Sequence, residues 1–208
     1  MNTVLLPVKD FKDSKQRLVP ALDATARARL AQAMLRDVLS VLTRARAPQR
    51  VVVFTAAEEV MELARPFGFD IVFEGSVDGH SAAVNQMVEE LSATSSRILS
   101  IAADLPRLAP SEIDFAFNAA SEPITFIPSR DWTGTNGVLF IPPARIAMEY
   151  GQGSFRRHLS KARAAGIRSD VMDLPGIAFD IDTPEDLQAF LADPRKDSET
   201  WRYLQQVQ

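Results

Sequence analysis

The sequence predicts an α/β fold, a mostly parallel mixed sheet flanked by helices and Rossmann-like in its layering. Three observations predict it. Short apolar runs rich in β-branched residues recur along the chain, stretches of helical period separate them, and 208 residues with 46% apolar and 24% charged side chains suit one ordinary globular domain. The strand candidates are 3–8, 50–55, 70–73, 97–102, 123–127, 137–141, 168–172 and 178–181. Between the first two, residues 24–46 place Leu30, Met34, Val38, Val41 and Leu42 three or four apart, with Asp23 and Thr25 as caps, which reads as an amphipathic helix. Residues 58–67, 81–94, 111–120, 154–165 and 184–192 read likewise, several opened by Ser, Thr or Asp. Residues 1–192 are expected to form a single domain. The tail 193–208 is polar apart from Trp201, Tyr203 and Leu204, so it either frays or packs as an arm, on this subunit or in a homodimer contact.

Charge and composition remove whole classes of function. Lys and Arg number 23 against 27 Asp and Glu, a net charge of −4, which argues against a general nucleic-acid or anionic-membrane binder. Any phosphate must be met by a local cluster of cations. With no cysteine there is no disulfide, thiolate zinc site, iron–sulfur cluster or catalytic thiol, and the two histidines, His80 and His158, leave little for a zinc site or His-based catalysis. No stretch reaches the roughly 18 apolar residues of a membrane span, and no basic region precedes a long apolar run near Met1, so a cytoplasmic protein is expected.

In open parallel sheets ligands bind beyond the carboxyl ends of the strands, and four polar constellations fall there. After the first strand, residues 7–18 carry Lys9, Lys12, Lys15 and Arg17; such a loop either wraps a triphosphate or is simply solvated charge. It is not a Walker loop, and Gly151-Gln152-Gly153-Ser154 lacks the third glycine of a dinucleotide fingerprint. The central run 98–102 ends at Asp104, a turn residue or a magnesium ligand. In Phe179-Asp180-Ile181-Asp182-Thr183-Pro184, an extended backbone would put Asp180 and Asp182 on one side, where two like charges want a cation. Thr183 before Pro184 is also a plain helix start that Asp182 could help cap, but this leaves Asp180 unexplained. Finally, Thr133-Gly134-Thr135-Asn136-Gly137 and Tyr150-Gly151-Gln152-Gly153-Ser154 offer glycine loops and a helix start for an anion, with Arg156, Arg157 and His158 read either as anion contacts or as a wet helix face.

Taken in order, Lys9 in Leu-Pro-Val-Lys, Lys15-x-Arg17-Leu18, Ala103-Asp104-Leu105-Pro106, Gly134-Thr135-Asn136, Gly153-Ser154-Phe155-x-x-His158 and Asp180-Ile181-Asp182-Thr183-Pro184 resemble the 2-phospho-L-lactate guanylyltransferase family of deazaflavin coenzyme F420 biosynthesis. The resemblance spans about residues 1–192. It implies a fold similar to the nucleotide-diphospho-sugar transferase (glycosyltransferase A) type, and the transfer of GMP from GTP to a three-carbon phospho-acid with release of pyrophosphate. Carried to matching positions, it implies Asp104, Asp180 and Asp182 as ligands of two Mg2+ ions. It also implies Lys9, Lys15 and Arg17 on the nucleotide phosphates, Asn85 near the nucleoside, and Thr135, Gly151 and Ser154 on the acceptor's carboxylate. The segment 79–85 departs from the family's usual run. Two other readings remain: a nucleotidyltransferase of the same fold acting on a sugar phosphate or another cofactor precursor, and a nucleotide-binding module without turnover.

Overall fold

The computed structural model describes residues 1–12, 14–73, 79–193 and 197–207, except for the His80 side chain; Asp13 of the cationic loop and 194–196 and 208 of the tail lie outside them. Among the described residues, seven strands form one mixed sheet. They are β1 (Asn2–Pro7), β2 (Arg50–Thr55), β3 (Asp70–Phe73), β4 (Arg97–Ile101), β5 (Ile124–Pro128), β6 (Thr135–Phe140) and β7 (Ser169–Val171), in the order β3-β2-β1-β4-β6-β5-β7. Only β6 runs against the rest, pairing antiparallel with both β4 and β5. The order reverses between β1 and β4, the crevice where open α/β sheets bind ligands. Because β6 is reversed, its first residues, Thr135 and Asn136, lie at the same edge as the carboxyl ends of β1 and β4.

The helices are α1 (Ala24–Leu42), α2 (Glu58–Ala64), α3 (His80–Ser92), α4 (Pro110–Ala119), α5 (Ser154–Ala164), α6 (Pro175–Ala178), α7 (Pro184–Leu191) and α8 (Glu199–Val207). Period-two alternation splits the strands between two cores: Val4, Leu6, Leu99 and Ile101 face Leu35, Val38, Val60 and Phe117 of α1, α2 and α4. On the other face Leu5, Val52, Ile98 and Phe140 meet Val84 and Met87 of α3 and Phe155 of α5. A third cluster joins Leu30 and Met34 of α1 to Phe190 of α7 and Leu204 of α8.

One expectation is corrected here, and one left open is decided. Residues 178–181 are not a strand: α6 ends at Ala178, and the carbonyl groups of Ile177 and Ala178 accept hydrogen bonds from the Asn136 side chain and from Arg130 N–H rather than from a sheet neighbour. Of the two readings of the tail, its described residues 197–207 follow the second and pack as an arm on this subunit. Asp37 of α1 accepts the Glu199 and Thr200 N–H groups at 2.7 and 2.9 Å and the Thr200 hydroxyl at 2.6 Å, capping α8 from another helix. Asp37→Ala leaves these donors bare and is expected to cost about 1–3 kcal/mol of stability, read as a lower urea midpoint. An unchanged midpoint would mean that α8 contributes nothing to the fold.

Candidate active site

Two cavities of about 680 and 660 Å³ open at the switch point and share Thr135, Asn136, Tyr150, Asp180 and Asp182 in their walls. The first is bounded by the loop after β1, including Lys9 and Lys15, and by the end of β4 at Asp104. The second lies between the 129–136 segment and the start of α5, and Arg17, Gly151 and Ser154 line it. One cleft therefore has two lobes with carboxylates at the waist, the shape needed by two ligands that react with one another.

The waist is where the distant acidic segments meet. One oxygen from each of Asp104, Asp180 and Asp182 lies within 4.8 Å of the others, as the i and i+2 reading of 180 and 182 requires. Lys15 is the counter-charge. Its ammonium donates to Asp104 and, at 2.7 Å, to Asp182, and its side chain is only 6% exposed. Burial alone would pull the lysine pKa down, but the two carboxylates outweigh burial and hold it above the ordinary value. Lys15 adopts the left-handed backbone region at φ 55°, an uncommon state for a side chain this long, so the loop turns sharply to aim the ammonium at the waist. Arg17 sits outside it, 64% exposed and 3.9 Å from Asp182, and Lys9 is exposed on the wall of the first lobe.

Asp180 takes no bond from Lys15; Asn136 Nδ2 donates to it at 3.1 Å. Burial first, then the neighbouring charges of Asp104 and Asp182, push its pKa up to about 6. Crowded like charges and hard oxygen donors are the environment a divalent cation relieves, so the donor set fits magnesium. Asp182 does not cap α7. Thr183 is the N-cap, in a reciprocal box with Asp186, whose carboxylate also accepts the Asp182 N–H at 3.2 Å and so fixes the backbone that presents Asp182.

In the second lobe, Gly134 is needed because a Cβ there would lie 3.0 Å from Ser129 Oγ, which accepts the Gly134 N–H and donates to Asp131. This tight turn starts β6 two residues earlier than expected, so Thr135, Asn136 and Gly137 belong to a strand rather than to an anion loop. Gly151 and Gly153 have φ of 115° and 71°, and Gly153, not Ser154, is the N-cap residue of α5. The Ser154 N–H is consumed by the Gly151 carbonyl and the Phe155 N–H by that of Thr133, so it is the Ser154 hydroxyl that faces Thr135, at 3.3 Å.

Asn85, which the family resemblance puts near the nucleoside, also has a structural task. Its amide donates to the Met148 carbonyl at 3.1 Å and accepts the Met148 N–H at 2.7 Å, which pins the 148–150 segment to α3. Sequence reasoning missed Asn136 as the anchor of Asp180 and Tyr150 as a wall of both lobes, with burial lifting its phenol pKa to about 12. His158 is no wet-face residue: it is 0% exposed, bonded to Thr135 and to the Glu149 N–H.

A family model described as "Guanylyl transferase CofC like" matches residues 2–208. The chain belongs to this family. A phosphoenolpyruvate guanylyltransferase of Conexibacter woesei is 36% identical over 191 residues, covering 89% of this chain and 85% of the relative. A 2-phospho-L-lactate guanylyltransferase of Methanothermobacter thermautotrophicus is 31% identical, with 88% and 81% covered, and a 3-phospho-D-glycerate guanylyltransferase of Colwellia psychrerythraea 30% identical, with 92% of each covered. In fold, the chain is similar to a nucleotidyl transferase structure from Methanothermobacter thermautotrophicus, at 17% identity, a TM-score of 0.65 and 99% coverage of both chains. Like these relatives, the CofC-like chain is a nucleotidyltransferase. No helix among its described residues is long and apolar enough to cross a membrane.

Burial first, then the nearby Lys161 and Arg157, push the pKa of His158 down to about 4, against 6.5 in an unfolded chain. Below pH 6.5 the unfolded chain therefore binds a proton that the folded one refuses, and stability falls between pH 6.5 and 4 by up to about 3 kcal/mol from this group. In denaturant titrations, the stability difference between wild type and His158→Gln is expected to shrink as pH falls through this window. A constant difference would place His158 in a solvated, freely titrating setting.

Proposed function

We propose that this chain moves GMP from GTP to the phosphate of a three-carbon phospho-acid, one of phosphoenolpyruvate, 2-phospho-L-lactate and 3-phospho-D-glycerate, in deazaflavin coenzyme F420 biosynthesis. The observation that carries the reading is the carboxylate waist shared by two lobes, each large enough for a small ligand. GTP occupies the lobe beside the β1 loop, where Lys9 and Lys15 meet its phosphates, and Arg17 approaches them from the wall of the second lobe. The acid occupies the lobe beside α5, with its carboxylate at Thr135, Gly151 and Ser154. Asp104, Asp180 and Asp182 hold magnesium, two ions in all, which when bound supply positive charge against the repulsion of two polyanions.

The acid's phosphate is already anionic near neutral pH, so no general base is required. One of its oxygens attacks the α-phosphorus of GTP, the bond from that phosphorus to the β-phosphate oxygen breaks, and pyrophosphate leaves. The chain's own work is positioning and charge: Lys15 and Arg17 steady the departing phosphates, and the hydroxyl pair of the second lobe holds the acid in line. The absence of cysteine and the burial of His158 are consistent with direct transfer without a covalent enzyme intermediate.

The test is pyrophosphate release with GTP, magnesium and each acid in turn, with ATP and CTP as controls and with the enzyme that consumes the labile product present. Release with GTP and one acid is expected. Magnesium-dependent GTP binding without release from any of the three would contradict the reading. Asp180→Asn is expected to lower turnover by about 100-fold or more, and near wild-type turnover would remove Asp180 from the metal site.

A further inference from the structure

His158 is the buried ionisable group that the proposed transfer leaves without work, although it lies one side chain from the acceptor lobe. Its ring is packed between Phe126, stacked at 6.1 Å between centroids, and Tyr150, edge-on at 5.6 Å. Each ring nitrogen has one partner. Nε2 lies 2.9 Å from the backbone N–H of Glu149, a group that can only donate, so Nε2 accepts. A neutral ring then carries its proton on Nδ1, which lies 2.9 Å from Thr135 Oγ and donates to it.

Hydrogen-bond counting gives the consequence. Thr135 and Ser154 together own two hydroxyl protons and stand 3.3 Å apart, so one proton joins them. Because the histidine also donates to this pair, the other hydroxyl proton has no partner within the triad and is available to the cleft, whose wall both residues form. The opposite tautomer would take a hydroxyl proton and turn a lone pair toward the cleft, which repels an anion.

We propose that His158 is a positioning residue that fixes the Thr135–Ser154 pair as a hydrogen-bond donor and so makes the second lobe selective for a carboxylate oxygen. The proposal rests on the acceptor assignment above for its ligand, but not for its tautomer. The ring stays neutral at working pH: burial and the cations Lys161 and Arg157 oppose its protonation more than Glu149 favours it, and Tyr150, the other ionisable group against the ring, is itself kept neutral.

The experiment has two readouts. The first is ring-nitrogen NMR of the full chain, whose two histidines make assignment simple with His80→Gln. A protonated Nδ1 and a bare Nε2 for His158 from pH 6 to 8 are expected; the reverse tautomer or a charged ring would overturn the proposal whatever the enzyme's substrate. The second is kinetic. His158→Asn keeps an amide donor near the Nδ1 position, whereas His158→Gln reaches only toward Nε2. The Gln variant is expected to raise KM for the acid about tenfold, with KM for GTP changed less than twofold, and the Asn variant to recover most of that loss. Equal acid KM in both variants, whether raised or normal, would overturn the proposal. If the wild type uses none of the three acids, the acceptor assignment fails and the NMR result still decides the tautomer.

Discussion

The ammonium of Lys15 is the contact on which the site depends. Asp104 leaves β4 and Asp182 precedes α7, and their charges, with Asp180 beside them, repel at the distances the fold imposes. One buried cation bonded to two of the three makes that arrangement tolerable, and the left-handed turn at Lys15 is the local strain that delivers it. The cluster is thus built around positive charge. In the proposed reaction the lysine shares that role with magnesium.

Everything else in the cleft serves to bring loops to one edge of the sheet. The reversal of strand order between β1 and β4 opens the crevice, and the single reversed strand β6 adds its starting residues to the same edge. Asn136 then does two jobs from one side-chain amide: it satisfies the carbonyl groups of Ile177 and Ala178, which have no sheet partner, and it anchors Asp180. Asn85 and Ser81 of α3 clamp the backbone of Met148 and Tyr150, carrying the acceptor lobe's wall. The site is therefore held by side-chain bonds to irregular backbone, with the sheet as its rigid base.

That division explains what was legible. The strands ending in Pro7, Thr55 and Ile101 and the helix from Ala24 announce themselves because burial on the sheet imposes a period on the sequence. Asp104, Asp180 and Asp182 stand out as charges next to apolar runs, and they do converge. The misreadings lie where a polar side chain replaces a regular backbone partner. Residues 178–181 alternate like a strand, but the Ala178 carbonyl at their start is taken by the Asn136 side chain and the Arg130 N–H. The bonds of Asn85 to Met148 and of Asp37 to the first turn of α8 are equally hidden from the sequence. No local pattern encodes contacts of that sequence separation.

The central claim, that the three aspartates form the cation site of a nucleotidyltransferase, is tested most directly with Mn2+ as a paramagnetic substitute for Mg2+. Electron paramagnetic resonance of wild type and of Asp104→Asn, each with Mn2+ and GTP, reads binding without requiring turnover. The account predicts protein-bound Mn2+ in the wild type and at least a tenfold weaker site in the variant, since one of three charged ligands is lost. Equal Mn2+ binding in both proteins would contradict it and place the cation elsewhere.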